Sequence, residues 1–156
     1  MNNGDGLRVV LWLSGCSHHC DECQNPQTWN PTNGVPFDEE ARAELFEAIN
    51  QDYIQGLTFS GGDPMYVGNR DLVLSLCEEL KTKHPQKDIW LWTGYTYEEI
   101  LKDKKMSEIL SYVDVLVDGR YDKSLRDVSI PWRGSTNQRV IDVKKSTVHN
   151  IVKHCE

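Results

Sequence analysis

The chain has 156 residues, 38% of them hydrophobic and 26% charged, which suits one domain whose core needs no disulfide staples. Lys and Arg number 17 against 24 for Asp and Glu, and the resulting net charge of −7 is the wrong sign for a protein that gains affinity by neutralising phosphates, so no nucleic-acid partner is expected. The longest apolar runs, Val9 to Leu13 and Val113 to Val117, are too short to cross a bilayer, and no basic segment with an apolar stretch and cleavage site opens the sequence; a cytoplasmic protein without a membrane partner is expected.

Leu7 to Leu13 is a nearly continuous apolar run ending at Ser14-Gly15, the pattern of a strand buried on both faces of a parallel sheet. A cysteine-bearing loop follows it, then a Pro/Asn/Gly-rich stretch from Asn25 to Pro36. Asp38 caps a predicted helix reaching about Asn50, with Ala41, Leu45, Ala48 and Ile49 on its apolar face. A short strand, Leu57 to Ser60, leads into Gly61-Gly62-Asp63-Pro64, and Leu72, Leu76 and Leu80 mark a second helix from Asp71 to Lys83. A third strand spans Asp88 to Thr93, and Thr96 with Glu99 forms a capping-box signal for helical segments running to about Tyr112. Val113 to Asp118 is a fourth strand, and a last one is expected from Gln138 to Val143.

Strands alternating with helices predict an α/β fold in which right-handed crossovers make the sheet parallel and gather the loops after each strand at one end. A single domain over residues 1–156 is expected, with the cysteine loop after the first strand.

Five cysteines are present, three of them in Cys16-x3-Cys20-x2-Cys23. Thiolates at such spacing select zinc or an iron-sulfur cluster. A closed zinc site would take a fourth ligand such as His18 or His19 and make the chain a non-enzymatic interaction module. A [4Fe-4S] cluster on three thiolates would leave one iron open to a substrate. Cys77, on the apolar side of the second helix, reads as a small buried hydrophobe. The double glycine lets the main chain approach a ligand closely, and Asp63 beside it complements a positive ammonium.

The cysteine motif in the loop after the first strand, Ser60-Gly61-Gly62-Asp63-Pro64 after the second, Trp92-Thr93-Gly94-Tyr95 after the third, Asp114 to Tyr121 and Trp132 to Arg139 together resemble the radical S-adenosylmethionine superfamily. Within it they resemble the activating enzymes of glycyl radical proteins, in particular the small activators of anaerobic (class III) ribonucleotide reductases. The resemblance spans Arg8 to about Asp142, and it implies an incomplete, partial parallel β/α barrel with the cluster loop after the first strand, open on one side because 156 residues fall short of the roughly 250 of a full eight-stranded barrel. It implies a [4Fe-4S] cluster on Cys16, Cys20 and Cys23, with the amine and carboxylate of S-adenosylmethionine on the open iron. It also implies cofactor contacts from Glu22, Cys23, Gln24, Gly61, Gly62, Asp63 and Thr93, with no catalytic residue beyond the cluster ligands. Glu22 stands where the superfamily usually has an aromatic residue. The implied activity is reductive cleavage of S-adenosylmethionine and abstraction of a glycine Cα hydrogen from the large glycyl radical subunit of the anaerobic ribonucleoside-triphosphate reductase. A flavodoxin-like protein is the implied electron donor. A pyruvate formate-lyase type partner is the alternative within the same chemistry.

Overall fold

The computed structural model describes residues 4, 6–13, 37–127, 129, 132–133, 135–147 and 150–153. The elements run in the order β1 (Arg8–Leu13), α1 (Glu39–Ile49), β2 (Gly56–Gly61), α2 (Arg70–Lys83), β3 (Asp88–Trp92), α3 (Tyr97–Leu101), α4 (Lys104–Leu110), β4 (Val115–Asp118) and β5 (Arg139–Asp142). The strands form one five-stranded sheet in the order β1-β2-β3-β4-β5. β1 to β4 pair in parallel, as the strand and helix alternation predicts.

β5 departs from that pattern and runs antiparallel to β4. The reason lies in the connection. A parallel return needs a crossover, usually a helix, and among the described residues between β4 and β5 the chain makes only a 3₁₀ turn at Lys123–Leu125. It therefore comes back along the edge of β4 in the opposite direction.

Local chemistry accounts for the helix ends. The Asp38 side chain accepts from the Ala41 backbone N–H and opens α1, with Glu39 and Glu40 in the first turn where the helix dipole favours anions. Thr96 and Glu99 make the expected capping box at α3. The predicted helical segments to Tyr112 are two, divided where Asp103 takes extended backbone angles and caps a new helix by accepting from Met106. On α1 the buried residues are Leu45, Phe46 and Ile49, while Ala48 is exposed, so the packed face is rotated slightly from the predicted one.

The two faces of the sheet differ. Leu13, Leu57, Phe59, Ile89, Leu91, Leu116 and Ile141 pack with residues of α1 to α4 into one core, in which Cys77 is fully buried, as expected. Burial pushes the Cys77 thiol up to about 12, so it stays protonated in the fold. The other face holds a smaller cluster of Trp90, Val115, Val117 and Val140, against which Trp92 and Trp132 pack. Arg8 reaches along this face to donate to Thr58 Oγ1 at 2.8 Å, to pair with Asp88 at 2.6 Å, and to lie over the Trp90 ring at 5.5 Å. Gly56 makes room for this pair, since a Cβ there would come within 2.2 Å of the Asp88 carboxylate. No helix of the described residues is long and apolar enough to cross a membrane.

Candidate active site

The register brings the carboxyl ends of β1 to β4 level, with Leu13 beside Gly61 and Trp92 beside Val117. Cys16, Cys20 and Cys23, together with Glu22, Gln24, His18 and His19, lie outside the described residues. Their loop departs from Leu13, and what the sheet builds around that point is well defined. The Gly62 N–H donates to the Leu13 carbonyl at 2.7 Å. Gly61 has φ +94, and a Cβ on it would sit 2.6 Å from both the nitrogen and the oxygen of Leu13. Only glycine lets the end of β2 turn this sharply and this close to the root of the cysteine loop.

Asp63 follows, with 1% of its surface exposed. Its Oδ1 accepts from Thr93 Oγ1 at 2.7 Å and from the Met65 N–H at 2.9 Å, and its Oδ2 accepts from the Gly94 N–H at 3.1 Å. The sequence assigned this carboxylate to a ligand's ammonium; in the fold it also fastens the loop after β2 to the loop after β3. Thr93 is 5% exposed and its hydroxyl is engaged on both sides, donating to Asp63 and accepting from the Tyr95 N–H at 3.2 Å. Gly61, Gly62, Asp63 and Thr93 are thus brought together, beside the start of the cysteine loop.

A second buried carboxylate at the end of β4 was given no role by the sequence. Asp118, 1% exposed, accepts from the N–H of Tyr97 at 2.8 Å, the first residue of α3, and from the Arg139 guanidinium through both oxygens. Arg139 also donates to both oxygens of Glu98, at 3.1 and 2.8 Å. Hydrogen bonds to Asp118 first, then to Glu98, raise the Arg139 pKa further, and the hydrogen bond from Arg139 draws the Glu98 carboxyl below its ordinary value. The network fastens α3, β4 and β5 around a cavity of about 560 Å³ whose lining includes Gly94, Thr96, Glu98, Asp118, Arg120 and Asn137. An acid as the last residue of a buried strand, in Val117-Asp118-Gly119, is the signal available in the sequence; its partner Arg139 is 21 residues away.

On the smaller-cluster face, Trp92 Nε1 donates to the Trp132 carbonyl at 2.6 Å, and the Trp132 ring meets Trp90 edge-on at 5.0 Å. Trp132 holds φ 63, a conformation bulky residues rarely adopt, so these contacts keep it in place against backbone strain. Among the described residues no group of three or more His, Cys, Asp or Glu side chains is placed to hold a metal.

The double glycine packs on Leu13, the last described residue before the three-cysteine segment of the sequence, and the chain belongs to the 4Fe-4S single cluster domain family of iron-sulfur proteins, which matches residues 2–141. More narrowly, its relatives are anaerobic ribonucleoside-triphosphate reductase-activating proteins, and it belongs to their family. It is 49% identical over 138 residues to the one of Enterobacteria phage T4, covering 88% of this chain and 85% of the relative. It is 42% identical over 138 residues to that of Pasteurella multocida, covering 87% of each, and 39% identical over 140 residues to that of Escherichia coli K12, covering 88% of this chain and 90% of the relative. No solved structure matches the chain.

Proposed function

We propose that this chain, as a single cytoplasmic radical S-adenosylmethionine domain, activates an anaerobic ribonucleoside-triphosphate reductase by taking the Cα hydrogen from one glycine of its large subunit. The observation that carries the reading is the packing of Gly61-Gly62 onto Leu13, which fixes the double-glycine turn beside the point where the cysteine loop leaves the sheet. Three thiolates suit a four-iron cluster with one iron left for an exchangeable ligand, and Cys16, Cys20 and Cys23 would hold it. When bound, the reduced cluster and S-adenosylmethionine supply the radical that removes the hydrogen.

The residues of the chain bind, orient and exclude water. Gly61 and Gly62 bring main chain rather than side chains toward the methionine part of the cofactor, with further contacts from Glu22, Cys23 and Gln24. Asp63 contributes a buried negative charge beside that turn and sets its position through Thr93 and Gly94. In this reading the sheet is an arc of a β/α barrel whose open side admits the glycine-bearing segment of the reductase. A flavodoxin-like protein supplies the electron.

Anaerobic reconstitution followed by electron paramagnetic resonance tests this. A reduced-cluster signal that changes on adding S-adenosylmethionine, and a glycyl radical doublet after mixing with the reductase, are expected. Replacing any one of Cys16, Cys20 or Cys23 by Ala should bring both below detection. A colourless chain with one zinc would overturn the reading in favour of an interaction module, and a doublet formed only in a pyruvate formate-lyase type partner would change the substrate.

A further inference from the structure

The opposite end of the sheet carries a second cavity, of about 320 Å³, lined by Asn50, Asp52, Gln55, His84, Gln86 and Lys87. It lies between the turn after α1 and the turn that leads into β3. At its wall is Lys87, 6% exposed. The Lys87 ammonium donates to two carbonyls, Gln51 at 2.9 Å and Ile54 at 2.7 Å, and no described carboxylate lies within ion-pair distance. The neighbouring cations of this end are matched differently: Arg8 pairs with Asp88 at 2.6 Å and Lys81 with Asp114 at 2.8 Å. Lys87 is a buried charge that carbonyl dipoles solvate and that no described carboxylate neutralises, a costly arrangement that a counter-charge from outside would relieve. An ammonium has three hydrogens, and the two carbonyls take two.

A second observation comes from the rest of the lining. Half-buried His84 and the amides of Asn50, Gln55 and Gln86 make no side-chain hydrogen bond to a described residue. Donors without a described partner therefore line the same cavity as Lys87. Asp52, exposed at the rim, is the one carboxylate of this lining, and together with the carbonyl ends of α1 and α2, capped by Asn50 and His84, it opposes an anion.

We infer that this amino-end cavity is a binding site for a phosphate-class oxyanion, held by Lys87 with His84 and the amides of Asn50, Gln55 and Gln86. Its volume lies near the lower end of the roughly 300–1,000 Å³ typical of small-molecule sites, enough for a phosphate with a small carbon skeleton. The site stands apart from Leu13 and the double glycine, across the length of the strands.

Titration calorimetry on the full chain, with inorganic phosphate and with glycerol 3-phosphate as probes, tests the site, alongside thermal unfolding in phosphate and in chloride at matched ionic strength. Phosphate should raise the unfolding midpoint above that in chloride. Asp52→Asn, at an exposed loop position, should tighten binding about threefold, and Gln86→Glu should weaken it at least about tenfold, because each changes one unit of charge beside the anion. Lys87→Gln should remove binding; should that variant fail to fold, the two exposed variants carry the test. Tighter binding of glycerol 3-phosphate than of phosphate assigns the site to a phosphorylated small molecule, and equal binding to the free ion. Equal midpoints in phosphate and chloride, or affinities unmoved by both Asp52→Asn and Gln86→Glu, would overturn it.

Discussion

At the carboxyl end of the sheet the buried ionised groups include the carboxylates Asp63 and Asp118, whereas at the amino end they include the cations Lys87 and Arg8. The βαβ topology sorts them this way. It places helix N-termini, with their free N–H groups, at the carboxyl ends of the strands, and helix C-termini, with their free carbonyls, at the amino ends. Asp118 accordingly accepts from Tyr97 at the start of α3, while Lys87 donates to carbonyls beyond the end of α1 and Lys144 to Ser111, the residue that closes α4.

The comparison is broken most strongly at Arg139, a cation at the carboxyl end that pairs with buried Asp118. Arg139→Met leaves Asp118 buried without its charge partner and should cost about 3–5 kcal/mol in urea unfolding. Next comes Asp63→Ala, which strands Thr93 Oγ1 and the Met65 and Gly94 N–H groups; a loss of about 2–3 kcal/mol is expected. The same variant should weaken S-adenosylmethionine binding in equilibrium titration, with Asp63→Asn milder on stability because its amide oxygen still accepts.

At the amino end Lys81→Met should cost less, about 1–2 kcal/mol by the same urea assay, because Lys81 and Asp114 are partly exposed and water screens the pair. The smallest effect belongs to Glu98→Gln, under about 1 kcal/mol, since Glu98 is 47% exposed. Its sign with pH is fixed. The folded pKa is lowered, so the stabilisation is complete above the ordinary value of 4.5 and is lost as pH falls below it toward the folded value. Urea titrations between pH 3 and 6 should show that part of the acid slope missing in Glu98→Gln.

Much of this frame was legible because its signals are local. The period of Leu72, Leu76 and Leu80, the Asp38 cap and the Thr96 with Glu99 capping box each act within a few residues, and each stands where the sequence put it. The point at which the helical segments divide was hidden, since Asp103 reads equally well as a helix residue and as a cap until its backbone angles are known. The candidate site was legible as a set of residues but not as an arrangement. Gly61, Gly62, Asp63 and Thr93 could be named from loops that topology gathers, yet the bond between Asp63 and Thr93 spans 30 residues of sequence.

The sequence by itself determined the alternation of strands and helices, the end of the sheet at which the loops gather, and the cysteine triplet that follows the first strand. Periodicity, capping and ligand spacing are properties of neighbouring residues, so they survive without coordinates. Tertiary structure alone decided the antiparallel return of β5, the clamp of Arg139 between Asp118 and Glu98, and the isolation of Lys87 from any described carboxylate. Each depends on which distant groups the packed sheet brings within about 3 Å, a matter of hydrogen-bond reach across space that no spacing along the chain encodes.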